Sequence, residues 1–242
     1  LMEPIRRRGI YLLPNMFTTL GLFAGFYAIV QAMNHDFERA AIAIFIAMIL
    51  DGLDGRVARL TRTQSAFGAE YDSLSDMVSF GVAPALVMFE WAMKGMGKWG
   101  WIAAFIYCVG AALRLARFNT NIEVVDKRFF QGLPSPAAAA LIAGFVWVLM
   151  DLNYTGEEVR WYAWALTIFA GVTMVSNFRY YSGKDINLRR SVPFIAVLAI
   201  VLLFVLVSSY PPGILFALFL CYAFSGYILA VLDWVRRRKT LI

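Results

Sequence analysis

A chain of 242 residues that is 61% apolar and only 16% charged has more apolar surface than a soluble fold can hide. Soluble domains run near 45–50% apolar with about 25% charge. The mean hydropathy of +0.67 therefore predicts one all-α, polytopic membrane domain of about eight spans of roughly 20 residues, and the net charge of +6 suits anionic headgroups rather than nucleic acid.

In chain order, the basic start Arg6-Arg7-Arg8 leads into an apolar run without a small-residue cleavage site, so the first span is expected to be its own insertion signal. Spans are predicted near residues 14–34, 37–61, 68–93, 98–118, 133–151, 160–178, 191–208 and 212–235. The longest connection is Asn119 to Gly132. Cys108 and Cys221 fall inside apolar runs and are expected to be packing residues rather than a disulfide or metal pair. An even number of spans puts both termini on one side. If that side is cytoplasmic, only Arg39, Lys94, Lys98 and Arg160 of the 22 basic residues face the other side, as the positive-inside rule requires.

The acidic residues break the apolar pattern in one place. The second span ends Asp51-Gly-Leu-Asp54-Gly55-Arg-Val-Ala58-Arg59, and the third opens Gly68-Ala-Glu-Tyr-Asp72-Ser-Leu-Ser-Asp76. Spacings of i, i+3 and i, i+4 set each pair of aspartates on one face of its own helix. At about 1.5 Å per residue, Asp51 and Asp54 lie roughly 10–17 Å from the cytoplasmic end of their span. Asp72 and Asp76 return to a similar depth.

Carboxylates at that depth cost about 2.5–3.5 kcal/mol each before mutual repulsion. Protonation or a divalent cation would relieve the conflict. An all-oxygen set suits Mg²⁺, Mn²⁺ or Ca²⁺ rather than zinc, and the lone His35 reads as a loop residue on the far side. Gly55 and Ala58 remove bulk beside the acids, and Arg59 offers a guanidinium fork to a phosphate oxygen. No Walker sequence is present, since Gly183-Lys184 is followed by Asp185. An ion or proton pathway is the competing reading of the acids. Glu70 lies on another side of its helix, and Glu90 and Asp233 read as interfacial.

The string from Asp51 through Asp54, Gly55, Ala58, Arg59, Gly68 and Asp72 to Asp76 resembles the signature of the CDP-alcohol phosphatidyltransferases. That resemblance implies a catalytic membrane domain over residues 1–190; the motifs run out beyond it, and two further spans over 191–242 read as packing or lipid-facing helices that also suit a homodimer interface. It implies that Asp51, Asp54, Asp72 and Asp76 hold two divalent ions, Mg²⁺ or Mn²⁺, on the diphosphate of CDP-diacylglycerol, and that Asp76 takes the proton of the attacking hydroxyl. The residues alone do not single out Asp76. Asn15, Thr18, Gly55, Arg59 and Ser65 match positions that hold the nucleotide or diphosphate in relatives, although Pro14-Asn15 also reads as a helix start.

Three further stretches are similar to the phosphatidylserine synthase branch of that family: Arg114-Leu-Ala-Arg117-Phe-Asn119, Gly132-Leu-Pro-Ser135-Pro136 and Ser176-Asn-Phe-Arg179-Tyr-Tyr-Ser182-Gly-Lys184. They imply L-serine as the acceptor, phosphatidylserine and CMP as products, and Arg117, Asn119, Ser135, Arg179 and Lys184 as serine contacts. The bland reading of these cations is anchorage at the headgroups. Glycerol 3-phosphate or inositol phosphate as acceptor, and a transporter or lipid-binding protein without chemistry, are the alternatives.

Overall fold

In a computed structural model, which describes residues 4–61, 65–120, 129–182 and 194–239, the chain is all-α apart from one small strand pair. The helices are α1 (Pro4–Met33), α2 (Phe37–Thr61), α3 (Ala66–Asp76), α4 (Ala83–Met88), α5 (Lys98–Thr120), α6 (Ser135–Asp151), α7 (Gly156–Val175), α8 (Phe194–Ser209) and α9 (Pro211–Lys239). A π turn at Met77–Val82 joins α3 to α4, and a second at Phe89–Met93 with a 3-10 turn at Lys94–Met96 continues the rod. Among the described residues, four stretches are long and apolar enough to cross a membrane: Asn15–Met33, Ala66–Met96, Lys98–Thr120 and Pro211–Val235. The chain is a membrane protein. Its outward faces agree, since Phe23 is 65% exposed and Phe204 72%, a pattern that lipid rather than water must cover.

The ends of the helices follow their local chemistry. His35 adopts a left-handed φ of 61° between α1 and α2, and Asp36 accepts the Arg39 N–H at 3.1 Å to start α2. Ser65 caps α3, accepting the Gly68 N–H at 3.0 Å. Thr155 and Glu158 form a capping box that starts α7 at Gly156, several residues before the span predicted from 160. Helix α1 begins at Pro4 and runs through Pro14, so Pro14-Asn15 is not a helix start. Strands β1 (Phe129–Gln131) and β2 (Arg179–Tyr181) pair antiparallel, with Phe130 opposite Tyr180. The predicted sixth span ran on to residue 178 and missed β2.

Packing rests on small residues. Helix α6 lies at the centre, with Ala138, Ala139, Leu141, Ile142 and Ala143 fully buried, and it contacts α2, α4, α7 and α9. Helices α5 and α7 meet backbone to backbone. A Cβ on Gly110 would lie 2.5 Å from the Gly171 carbonyl oxygen, and one on Gly171 would lie 2.8 Å from the Tyr107 Cα. Backbones that close cannot admit a side chain without moving apart. Gly171→Leu is therefore expected to lower the melting temperature in detergent markedly, whereas Val172→Leu on the exposed face of the same helix changes it little. A thermal-shift series on purified protein reads the difference.

Candidate active site

Asp51 near the end of α2, and Asp72 and Asp76 one turn apart on α3, are half-buried, and each offers an oxygen within 4.8 Å of the others. The fourth acid stands slightly apart. Asp54 is 6% exposed and accepts a hydrogen bond from the Thr18 hydroxyl of α1. The four aspartates thus divide into three that converge and one that is tied to α1. Oxygens within 4.8 Å of one another fit a hard divalent cation, whose ligands stand about 2.0–2.6 Å from it. A narrow crevice of about 10 Å³, lined by Thr18, Asp51, Asp72, Ser75 and Asp76 among others, lies against the acids.

Hydrogen bonds between α1 and the third rod fix the register of the acids. The Ser75 hydroxyl donates to the Thr18 carbonyl at 3.2 Å, and that of Ser79 to the Gly21 carbonyl at 3.1 Å. The hydroxyls of Thr19 and Tyr71 meet at 2.9 Å. Asp76 is the last residue before the π turn, and the turn presses Ser79 onto α1. A Cβ on Gly25 would lie 2.6 Å from the Ser79 Cα, so glycine at position 25 admits the bulge. Such π turns recur at functional sites because they displace one face of a helix relative to the rest.

Of the predicted nucleotide residues, Asn15 and Ser65 lie together. A Cβ on Gly68 would meet the Ser65 hydroxyl at 3.1 Å and the Asn15 side-chain oxygen at 3.6 Å, so these three lie together. Gly55 faces open space, with no atom within 4 Å of the position a Cβ would take. Arg59 lies one turn beyond it on α2, and its side chain lies outside the described residues.

Of the predicted serine contacts, Arg117, Asn119 and Ser135 form hydrogen bonds within the fold. Arg117 donates to the Val175 carbonyl at 3.2 Å and to the Asn177 side chain at 3.1 Å, which closes the C-terminal end of α7. Asn119 and Ser73 exchange hydrogen bonds, the amide donating at 3.0 Å, which ties α5 to α3. Arg179 is exposed on β2. Lys184 lies outside the described residues.

Ser135 is fully buried and accepts a 2.8 Å hydrogen bond from Nη1 of Arg114. Arg114, only 9% exposed, interacts electrostatically with Asp76 and Asp51. It was absent from the predicted site. Its signal was helical spacing: Ala103, Tyr107, Gly110, Ala111 and Arg114 share the buried stripe of α5, where a cation is out of place.

Comparison with known proteins places these residues in context. A family model described as CDP-alcohol phosphatidyltransferase matches residues 11–171. The chain is 38% identical over 199 residues to the CDP-diacylglycerol–serine O-phosphatidyltransferase of Helicobacter pylori, covering 81% of this chain and 83% of the relative. It is 34% identical over 231 residues to the protein of that name from Methanocaldococcus jannaschii, covering 95% and 97%. With its counterpart in Saccharomyces cerevisiae it shares 40% over 144 residues, covering 54% and 51%.

Proposed function

Since the chain belongs to the CDP-alcohol phosphatidyltransferase family, we propose that it transfers the phosphatidyl group of CDP-diacylglycerol to L-serine, giving phosphatidylserine and CMP. The convergence of Asp51, Asp72 and Asp76 on one point is the observation that carries the chemistry. The acceptor is taken from the names of the relatives that cover most of this chain.

The serine hydroxyl attacks the phosphorus that bears the diacylglycerol oxygen. The bond from that phosphorus to the oxygen bridging to the CMP phosphorus breaks, and CMP departs with the bonding pair. The hydroxyl proton passes to a carboxylate oxygen of Asp76. Asp76 is suited to this role because its neighbours include Arg114 on the α5 side as well as Asp72 and Asp51, so it borders both halves of the site. Asp54, tied to Thr18, would serve the nucleotide together with Asn15, Gly55, Arg59 and Ser65. Two divalent ions, Mg²⁺ or Mn²⁺, held by Asp51, Asp54, Asp72 and Asp76, would neutralise the diphosphate and the departing phosphate.

The membrane arrangement that suits this reaction has about eight spans, with both termini and the acids on the cytoplasmic side of the cell membrane, supported by the distribution of Lys and Arg. The acyl chains then stay in lipid while serine arrives from water. Helix α8, whose described residues are exposed along nearly its whole length, offers its apolar face to lipid or to a second copy in a homodimer.

Purified protein given labelled serine, CDP-diacylglycerol and Mg²⁺ or Mn²⁺ should yield labelled phosphatidylserine and release CMP only when both substrates are present. Labelled lipid from glycerol 3-phosphate or inositol phosphate in place of serine would reassign the acceptor. Transport of a solute without CMP release would overturn the enzymatic reading.

A further inference from the structure

Arg114 is the one buried cation among the described residues. Its Nη1 is committed to Ser135, and its Nε is the one buried side-chain nitrogen or oxygen among the described residues without a hydrogen-bond partner. The ion pairs within 4 Å among the described residues are Arg39–Asp36 and Lys94–Glu90, so no carboxylate reaches it directly. A buried donor left unpaired costs about 1–3 kcal/mol, and more on a charged group. Buried charges persist where a partner completes them.

The surroundings hold this guanidinium in place. Gly132 takes a left-handed φ of 75°, and its N–H donates to the Phe178 carbonyl at 2.9 Å. A Cβ there would lie 2.1 Å from the Met174 carbonyl oxygen. The Leu133 N–H donates to the Thr173 carbonyl at 3.1 Å. This turn is therefore locked to the end of α7, and it delivers Ser135, at the start of α6, to Arg114. The charges that act on Arg114 are those of Asp76 and Asp51. Once a divalent cation neutralises the acids, Arg114 lacks a counter-charge. An anion seated between it and Asp76 would supply one.

We propose that Arg114, oriented by Ser135, is the receptor for the carboxylate of the acceptor alcohol and sets the choice of a hydroxy-amino acid over a similar alcohol without the carboxylate. The proposal rests on serine being the acceptor. With Nη1 held by Ser135, the Nε edge of the fork is left free, and that edge grips a carboxylate by two parallel hydrogen bonds. Serine carries its hydroxyl and carboxylate on either side of a two-carbon backbone, so a carboxylate on Arg114 leaves the hydroxyl to face Asp76. Arg117 and Asn119, engaged elsewhere, are then structural supports of this pocket. Ser135 is a positioning residue that acts through Arg114.

The test compares serine with L-serinamide, which keeps the hydroxyl and ammonium but lacks the negative charge. In the wild type, serinamide is expected to inhibit with a Ki about 100-fold above the KM for serine, because a site built around a charged partner rejects the analogue that lacks it. Arg114→Gln should raise the KM for serine by about 100-fold and bring the two constants together, with the KM for CDP-diacylglycerol changed by less than about threefold. Arg114→Lys, which keeps the charge and loses the fork, and Ser135→Ala should fall between, near tenfold. A purely structural role would not collapse the serine-to-serinamide ratio. A wild type that binds serinamide as well as serine overturns the proposal even if no variant folds, as does a rise in the KM for CDP-diacylglycerol instead of serine. A wild type that makes no lipid from serine overturns the acceptor assignment itself, which is a separate outcome.

Discussion

Asp76→Asn is expected to lower turnover by about 10²–10⁴-fold, the range contributed by a positioned general base, while CDP-diacylglycerol still binds. The substitution preserves size and removes both the capacity to accept a proton and the negative charge. Two roles compete for Asp76, since it also lies within 4.8 Å of Asp51 and Asp72 at the candidate metal centre. The response to metal separates them. A pure ligand replaced by a neutral amide lowers affinity for the cation, and excess cation restores much of the rate. A base replaced by an amide stays slow at any cation concentration. Saturating Mn²⁺ should therefore leave Asp76→Asn at its depressed rate, with nucleotide binding detectable by competition with CMP. Turnover near wild type under saturating metal would remove Asp76 from the proton-transfer step.

The same residues show what could be read from the sequence and what could not. The acids stood out because a charge in an apolar span is costly and the spacing along each helix is local information. Their sharing of one depth followed from helix rise and orientation alone. The separation of Asp54 from the other three did not, because it depends on Thr18, which lies 36 residues away and reaches Asp54 only when α1 packs on α2. Arg117 and Asn119 enter as substrate contacts through the family resemblance of their stretch. Their hydrogen-bond partners Val175, Asn177 and Ser73 lie far away in sequence, and no local pattern announces them. Arg114 was visible on the buried stripe of α5, but a basic residue near a predicted helix end is ordinarily a headgroup anchor. The π turn after Asp76 left little local signal, because Gly25, which makes room for it, belongs to another helix. The strand pair escaped because each partner is only three residues long and adjoins a helix end.

Asp51→Asn should move activity and stability in opposite directions. Two carboxylates with oxygens within 4.8 Å repel by about 3–4 kcal/mol when both are ionised, at an effective dielectric near 20. Removing one charge relieves that repulsion, so in the presence of a chelator the variant is expected to melt a few degrees above the wild type. Adding Mg²⁺ or Mn²⁺ should reverse the order. The wild type gains stability by mass action as the cation binds the folded state, and the variant, short of one anionic ligand, gains far less. Loss of an outer-shell partner already costs about 10–100-fold in metal affinity, so loss of Asp51 itself should cost at least that much. At limiting cation the variant should be almost inactive, and excess cation should restore part of the rate, in contrast to Asp76→Asn. Glu70→Gln, one helix face away from Asp72, is the matched control and should shift neither the metal titration nor the melting temperature. If Asp51→Asn titrates with Mg²⁺ and Mn²⁺ as the wild type does, Asp51 is not a ligand, and the centre must be assigned to Asp72, Asp76 and Asp54.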